Sequence, residues 1–278
     1  MKILLFIFII FGSSTLKAQT NADNLKRFIF GANAGVKFAS KKYAIRYTGA
    51  YQDQLINFLN FPSTYQRVRE LLGNNDFYFD SFSLLYRFQP AISYGINFGY
   101  QASPNLSFEA DLNFSNIRMI GGYTLVVEDP ANFTDQLNFA TGTVIGNESR
   151  FNGRINMNYR TDGETVKGIF GIAGLVNSWR MEENYAELNG AIVAQLFSGS
   201  NPANGFTSRV SGTGFGYGIN LGIEVPFKKG IVMQIVYQPY ITRMDYFNTQ
   251  EVISGLGASY QKPGRVIEHD LMARFVWR

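Results

Sequence analysis

Apolar and polar residues alternate with a period of two through eight short segments of the chain. The clearest sets Phe215, Tyr217, Ile219, Leu221, Ile223 and Val225 against Gly214, Gly216, Gly218, Asn220, Gly222 and Glu224. Another sets Ile155, Met157 and Tyr159 against Arg154, Asn156, Asn158 and Arg160. Successive side chains on a pleat point to opposite faces, so this period predicts strands. They fall at 27–40, 88–100, 106–118, 150–160, 166–179, 213–225, 231–241 and 265–277. Only the fifth is apolar on both faces, at Ile169-Phe170-Gly171-Ile172-Ala173. The apolar faces are broad and aromatic, and the opposite faces carry glycine and charges of both signs. A soluble sheet hides its apolar face, whereas a membrane barrel turns it to lipid and keeps a narrow polar interior.

The connections alternate short and long. Segments 101–105, 161–165 and 226–230 each hold the Pro or Gly that a tight turn requires. Segments 41–87, 119–149, 180–212 and 242–264 are long, polar and rich in Asn and Gly. Short turns at one end and long loops at the other are the pattern of bacterial outer-membrane barrels. The expected fold is all-β: an eight-stranded antiparallel transmembrane β-barrel with long extracellular loops and a short helix in the first loop.

The first residues give a compartment. Met1-Lys2, an apolar run from Ile3 to Phe11 and a small residue at Ala18 have the form of a secretory signal. Cleavage is expected after Ala18, so that 1–18 is a signal peptide and 19–278 an integral barrel of the outer membrane. A spanning helix needs about 20 apolar residues, and this run is far shorter. The chain has no cysteine, which excludes acylation on cysteine and any disulfide framework. Hydrophobic content is an ordinary 46%, yet 15% is aromatic, as interfacial girdles require. The net charge of +4 includes Lys2 and Lys17 of the signal, and no basic stripe stands out, so no nucleic-acid partner is expected.

In the first loop, Ser63 with Gln66 three residues on reads as a capping box, and Gly73 is placed to end the helix 64–72. A second amphipathic piece covers 55–59. Two readings stay open. The apolar face packs as a lid over the barrel mouth, or Leu55, Phe58, Leu59, Tyr65, Val68 and Leu72 form a docking face for another protein.

Little catalytic chemistry is present. The one histidine is His269, and the residue two beyond it is Leu271, not the serine of outer-membrane lipid deacylases. There is no Gly-x-Ser-x-Gly elbow, and no catalytic, cofactor-binding or metal-binding set is read. The polar faces instead predict an interior charge network of Lys37, Glu109, Asp111, Arg154, Glu224, Glu268, Asp270 and Arg274, joined by Arg160. An eight-strand barrel is just wide enough to be filled by side chains, and such charges are tolerable only when paired. Lys37 is expected beside Glu268 where the first and last strands meet. Glycines on the second and sixth strands would leave room for the long arginines.

With its signal, alternating strands, long outer loops and the closing Asp270-Leu271-Met272-Ala273-Arg274-Phe275-Val276-Trp277-Arg278, the mature chain resembles the PorT-like outer-membrane β-barrel proteins of Bacteroidota. The Ala18-Gln19 junction is similar to signal cleavage sites common there, and Trp277 stands one residue short of the usual terminal aromatic. The resemblance implies an integral outer-membrane protein whose relatives include members tied to protein secretion. The expected function is a non-enzymatic scaffold or accessory subunit of an outer-membrane secretion or assembly complex, with lipid around its wall and protein partners at its extracellular loops. The alternatives are a narrow pore or small-solute carrier, and a lipid-modifying enzyme centred on His269.

Overall fold

The structure, a computed structural model, describes residues 28–44, 47, 54–83, 86–128, 137–198, 210–228, 230–248 and 264–277. The expected signal, its cleavage after Ala18 and the terminal Arg278 lie outside these residues. The fold is all-β and antiparallel. Its eleven strands are β1 (Phe28–Phe38), β2 (Asp76–Phe82), β3 (Arg87–Phe88), β4 (Ala91–Gln101), β5 (Leu106–Glu128), β6 (Asn138–Arg160), β7 (Lys167–Leu188), β8 (Ala191–Ser198), β9 (Val210–Lys228), β10 (Ile231–Asn248) and β11 (Val266–Trp277). Three short helices, α1 (Lys41–Ala44), α2 (Gln54–Leu59) and α3 (Pro62–Leu71), follow β1.

Among the described residues the count is eleven where eight strands were expected. The additions are short: β2 and β8 lie in segments expected as loops, and β3 straddles the expected start of the second strand at residue 88. The other eight pair in the succession β1–β4–β5–β6–β7–β9–β10–β11, and β11 pairs back onto β1. The seam sets Lys37 opposite Asp270 and Phe30 opposite Trp277. The start of β1 and the end of β11 therefore lie at the end with the tight turns.

β5, β6 and β7 are 23, 23 and 22 residues long, so much of 119–149 and 180–198 is strand rather than loop. The alternation persists there but reverses sign. On β5, up to Ser115 the buried positions are Ser107, Glu109, Asp111, Asn113 and Ser115, while Phe108 and Phe114 are exposed. From Asn116 on, Asn116 and Arg118 are exposed while Ile117, Met119, Tyr123 and Leu125 are buried. Scored as one amphipathic strand the segment cancels, which is why its second half reads as loop. The β7–β8 hairpin closes on Asn189 (φ 51°) and Gly190 (φ 78°), a pair suited to the turn that matches strand twist.

The helix of the first loop starts differently from its expected form. Phe61 is the N-cap and makes no side-chain cap bond, so the Ser63–Gln66 capping box does not form. Pro62, whose fixed φ is already helical, takes the first position and draws Ser63 into the first turn. The C-terminus follows expectation. Gly73 has φ 72°, its N–H donates to Glu70 O at 3.3 Å, and Asn74 N–H donates to Arg69 O at 2.8 Å, a Schellman closure.

The glycines of β4 and β9 have a different cause from the one expected. A Cβ at Gly95 would stand 2.0 Å from the Leu112 carbonyl oxygen, and one at Gly214 2.1 Å from that of Arg243. Neighbouring backbone occupies that volume, so glycine permits the close coiling of adjacent strands rather than space for arginine. Gly95→Val is expected to lower the urea unfolding midpoint in detergent by the equivalent of about 1–3 kcal/mol, as overpacking does. Gly174→Val, where a Cβ meets nothing within 4 Å, is the control and should change stability by under about 0.5 kcal/mol.

Candidate functional site

The face that the eight paired strands bury toward the tight turns is polar. Six carboxylates, Glu109, Asp111, Glu148, Glu224, Glu268 and Asp270, are buried with five cations, Lys37, Arg150, Arg154, Arg160 and Arg274. Near the tight turns, Arg160 joins Glu109 at 2.5 Å and Glu224 at 3.0 Å. Arg274 reaches Asp111 at 2.5 Å and Glu109 at 3.4 Å. Asp111 is the hub, since Asn97 and Asn156 each donate to it at 2.8 Å and Asn33 at 3.3 Å. Asn220 links onward to Asn156, Asn158 and Gln238.

Higher along the strands lies a second cluster. Lys37 sits 3.5 Å from Asp270 and 3.8 Å from Glu268 and donates to the Tyr240 hydroxyl. Arg154 pairs with Asp270 and lies over the Tyr240 ring, 4.5 Å from its centroid. Arg150 bonds Glu268 at 2.6 Å and Glu148, whose carboxylate also accepts from Tyr47. All eight network residues named from the sequence are buried, divided between these two clusters. The expected Lys37–Glu268 proximity is shared, because the register puts Asp270 directly opposite Lys37.

Glu148 and Arg150 were missed. They stand at the sign reversal of β6, where the expected strand began only at residue 150. The signal was available: Glu148, Arg150, Asn152 and Arg154 continue the polar set at period two.

Above this cluster the interior turns apolar. Tyr43, Ile117, Met119, Tyr123, Leu125, Val144, Trp179, Met181, Leu188 and Val193 form one core with Leu55, Leu59 and Val68 of the helices. α2 and α3 pack on β8, and α1 on β3. Three of the six docking residues named from the sequence, Leu55, Leu59 and Val68, are therefore fully buried and cannot meet a partner in this arrangement. Phe58, Tyr65 and Leu72 pack against the same core. The apolar face of the first loop is spent inward, covering strands whose buried positions have become apolar. Tyr65 stacks on Phe77 with ring centroids 4.7 Å apart and donates to Asp76 at 3.0 Å, a bond that holds its phenol pKa above the ordinary value. Burial first, then Glu187, raises that of Tyr123.

The outward chemistry is sparse. His269 Nδ1 lies 2.7 Å from the Tyr237 hydroxyl, with the rings stacked at 7°. Among the described residues no group of three or more acidic or histidine side chains is arranged to hold a metal ion. Nor, among them, is any helix long and apolar enough to cross a membrane, which says nothing of strands.

No family model and no curated protein matches the chain. Among solved structures, the crystal structure of Neisserial surface protein A (NspA) aligns with 90% of this chain and 95% of its own, at 12% identity and a TM-score of 0.41.

Proposed function

We propose that the chain is an integral outer-membrane β-barrel whose eight long strands form the wall, acting as a non-enzymatic scaffold or accessory subunit through its extracellular face. The observation that carries this reading is the polarity of the strands. Where Phe30, Ile92, Ile155, Phe215 and Trp277 are exposed, arginines and carboxylates are buried, and this arrangement is stable only with lipid outside. β1 and β4, each of 11 residues, have the length of a tilted transmembrane strand. The sign reversal on β5 between Phe114 and Asn116 then marks the passage from lipid to water, where an ordinary apolar core becomes the stable interior.

Filled with ion pairs and covered by α2 and α3, such a barrel does not conduct. Partner contact falls to what the lid leaves outside, chiefly Phe61 and Tyr78, which are 54% and 47% exposed. PorT-like barrels, which the sequence resembles, fit this picture. The test is fractionation with heat-modifiability: the protein should sediment with the outer membrane and run faster on detergent gels unheated than boiled. A soluble periplasmic monomer would end the reading. In planar bilayers the purified protein should give no unitary conductance steps; steps of reproducible size would favour the narrow pore.

A further inference from the structure

We propose that the outer surface where β3, β4 and β5 meet binds one anionic lipid, its phosphate-bearing headgroup on Arg118 and an acyl chain along Ile92 and Tyr94; the proposal rests on the membrane-barrel reading above. The β4–β5 ladder ends at Ser93 opposite Ser115, and β3 resumes the pairing at Phe88 opposite Met119. Between them Gln89, Pro90, Ala91 and Ile92 oppose only Asn116, Ile117 and Arg118. Gln89 N–H donates to Arg118 O at 2.8 Å, Pro90 has no N–H to give, and Ala91 and Ile92 pair with β1 instead.

This break opens a cavity of about 430 Å³ lined by Gln89, Pro90, Ile92, Tyr94, Asn116 and Arg118. A second, of about 520 Å³, shares Asn116 and Arg118 and continues toward Asn147 and Glu183. Volumes in this range suit a small ligand or a headgroup.

The lining changes character along the strand. Ile92 is 75% exposed and Tyr94 56%, on the apolar side of the reversal. Asn116, Arg118 and Gln89 lie on its polar side. Among the described residues the Arg118 side chain has no hydrogen-bond or ion-pair partner, and a guanidinium matches phosphate oxygens two at a time. Arg87 is exposed on the same face, and Lys41 and Lys42 are exposed on α1, which packs on β3. The nearby carboxylates are engaged on the far wall of the second cavity. Glu182 accepts from Ser149 and Arg180, and Glu183 from Asn147. Cationic at headgroup level and apolar below it, the notch has the two-part character of an anionic amphiphile.

Native mass spectrometry of the detergent-purified full chain tests this with palmitoyl-oleoyl phosphatidylglycerol, the matching phosphatidylcholine, and inorganic phosphate. The wild type should retain one phosphatidylglycerol about fivefold or more tightly than phosphatidylcholine. R118Q should lose that preference, while R180Q, exposed at the same level but paired with Glu182, should keep it. Excess inorganic phosphate should not displace the lipid. Equal retention of the two lipids by the wild type, an unchanged preference in R118Q, or displacement by phosphate alone would each overturn the site. Heat-modifiability is read on the same samples. A wild type that is not heat-modifiable brings down the barrel reading and this site with it, whereas a heat-modifiable barrel without lipid preference brings down the site only.

Discussion

Asp111→Leu is expected to destabilise the protein by about 3–5 kcal/mol, the range for leaving one partner of a buried ion pair alone. Asp111 is fully buried and accepts from the Arg274 guanidinium at 2.5 Å and from three asparagine amides. Its loss leaves Arg274 with Glu109, at 3.4 Å, as its remaining carboxylate among the described residues, one that Arg160 already holds at 2.5 Å. Adding Arg274→Met should recover much of the loss, since the stranded charge goes with its partner and Arg160 keeps Glu109. The couple is therefore strongly non-additive, as residues in one network are. Urea midpoints followed by gel mobility of unheated samples measure it. Equal destabilisation by the single and double changes would show that Asp111 does not work through Arg274.

Deleting residues 51–75 and joining the ends with a short Gly-Ser turn should leave the wall heat-modifiable but loosen the sheet above it. Leu55, Leu59 and Val68 are essentially fully buried, and at about 1.5–3 kcal/mol per buried aliphatic side chain their removal withdraws roughly 5–9 kcal/mol of packing. It uncovers Tyr123, Leu125, Leu188 and Val193. Limited chymotrypsin digestion reads the result, with rapid cleavage expected within 119–128 and 185–195 while the wall persists. A deleted protein as resistant as the intact one would mean that the helices merely rest on the sheet. Loss of a partner in the same variant points to docking only if Phe61→Ser, at an exposed ring outside the buried core, also loses it.

The long strands were legible because an exposed apolar face and a buried, ion-paired face impose the simplest possible pattern on a strand. Phe215 to Val225 and Ile155 to Tyr159 carry one kind of residue per face, and their eight relatives of the interior network could be named from parity alone. The upper sheet was not legible for the opposite reason. Met119, Tyr123 and Leu125 keep the parity of Glu109 and Asp111 but not their chemistry, so a reader following polarity sees the pattern stop. The lid shows a further limit. Its amphipathic face was plain in the sequence, but a face that packs on its own sheet and one that waits for a partner have the same composition. Only the burial of Leu55, Leu59 and Val68 separates them. Gly95 and Gly214 show the same limit in miniature, since the carbonyl each one spares belongs to a neighbouring strand.

The sign reversal also bears on how the strands find their mates. Strict alternation forbids a slip of one residue between neighbours, because every side chain would change face. It is blind to a slip of two, which restores every parity. A reversal fixed at one level removes that blindness. A two-residue slip of β5 moves it by about 7 Å along the strand, at roughly 3.3–3.4 Å per residue. In the membrane barrel we propose, one direction carries Asn116 into hydrocarbon and the other lifts Phe114 into water. There, even-numbered mispairings, invisible to alternation, would become errors of depth, and the bilayer itself would proofread the register.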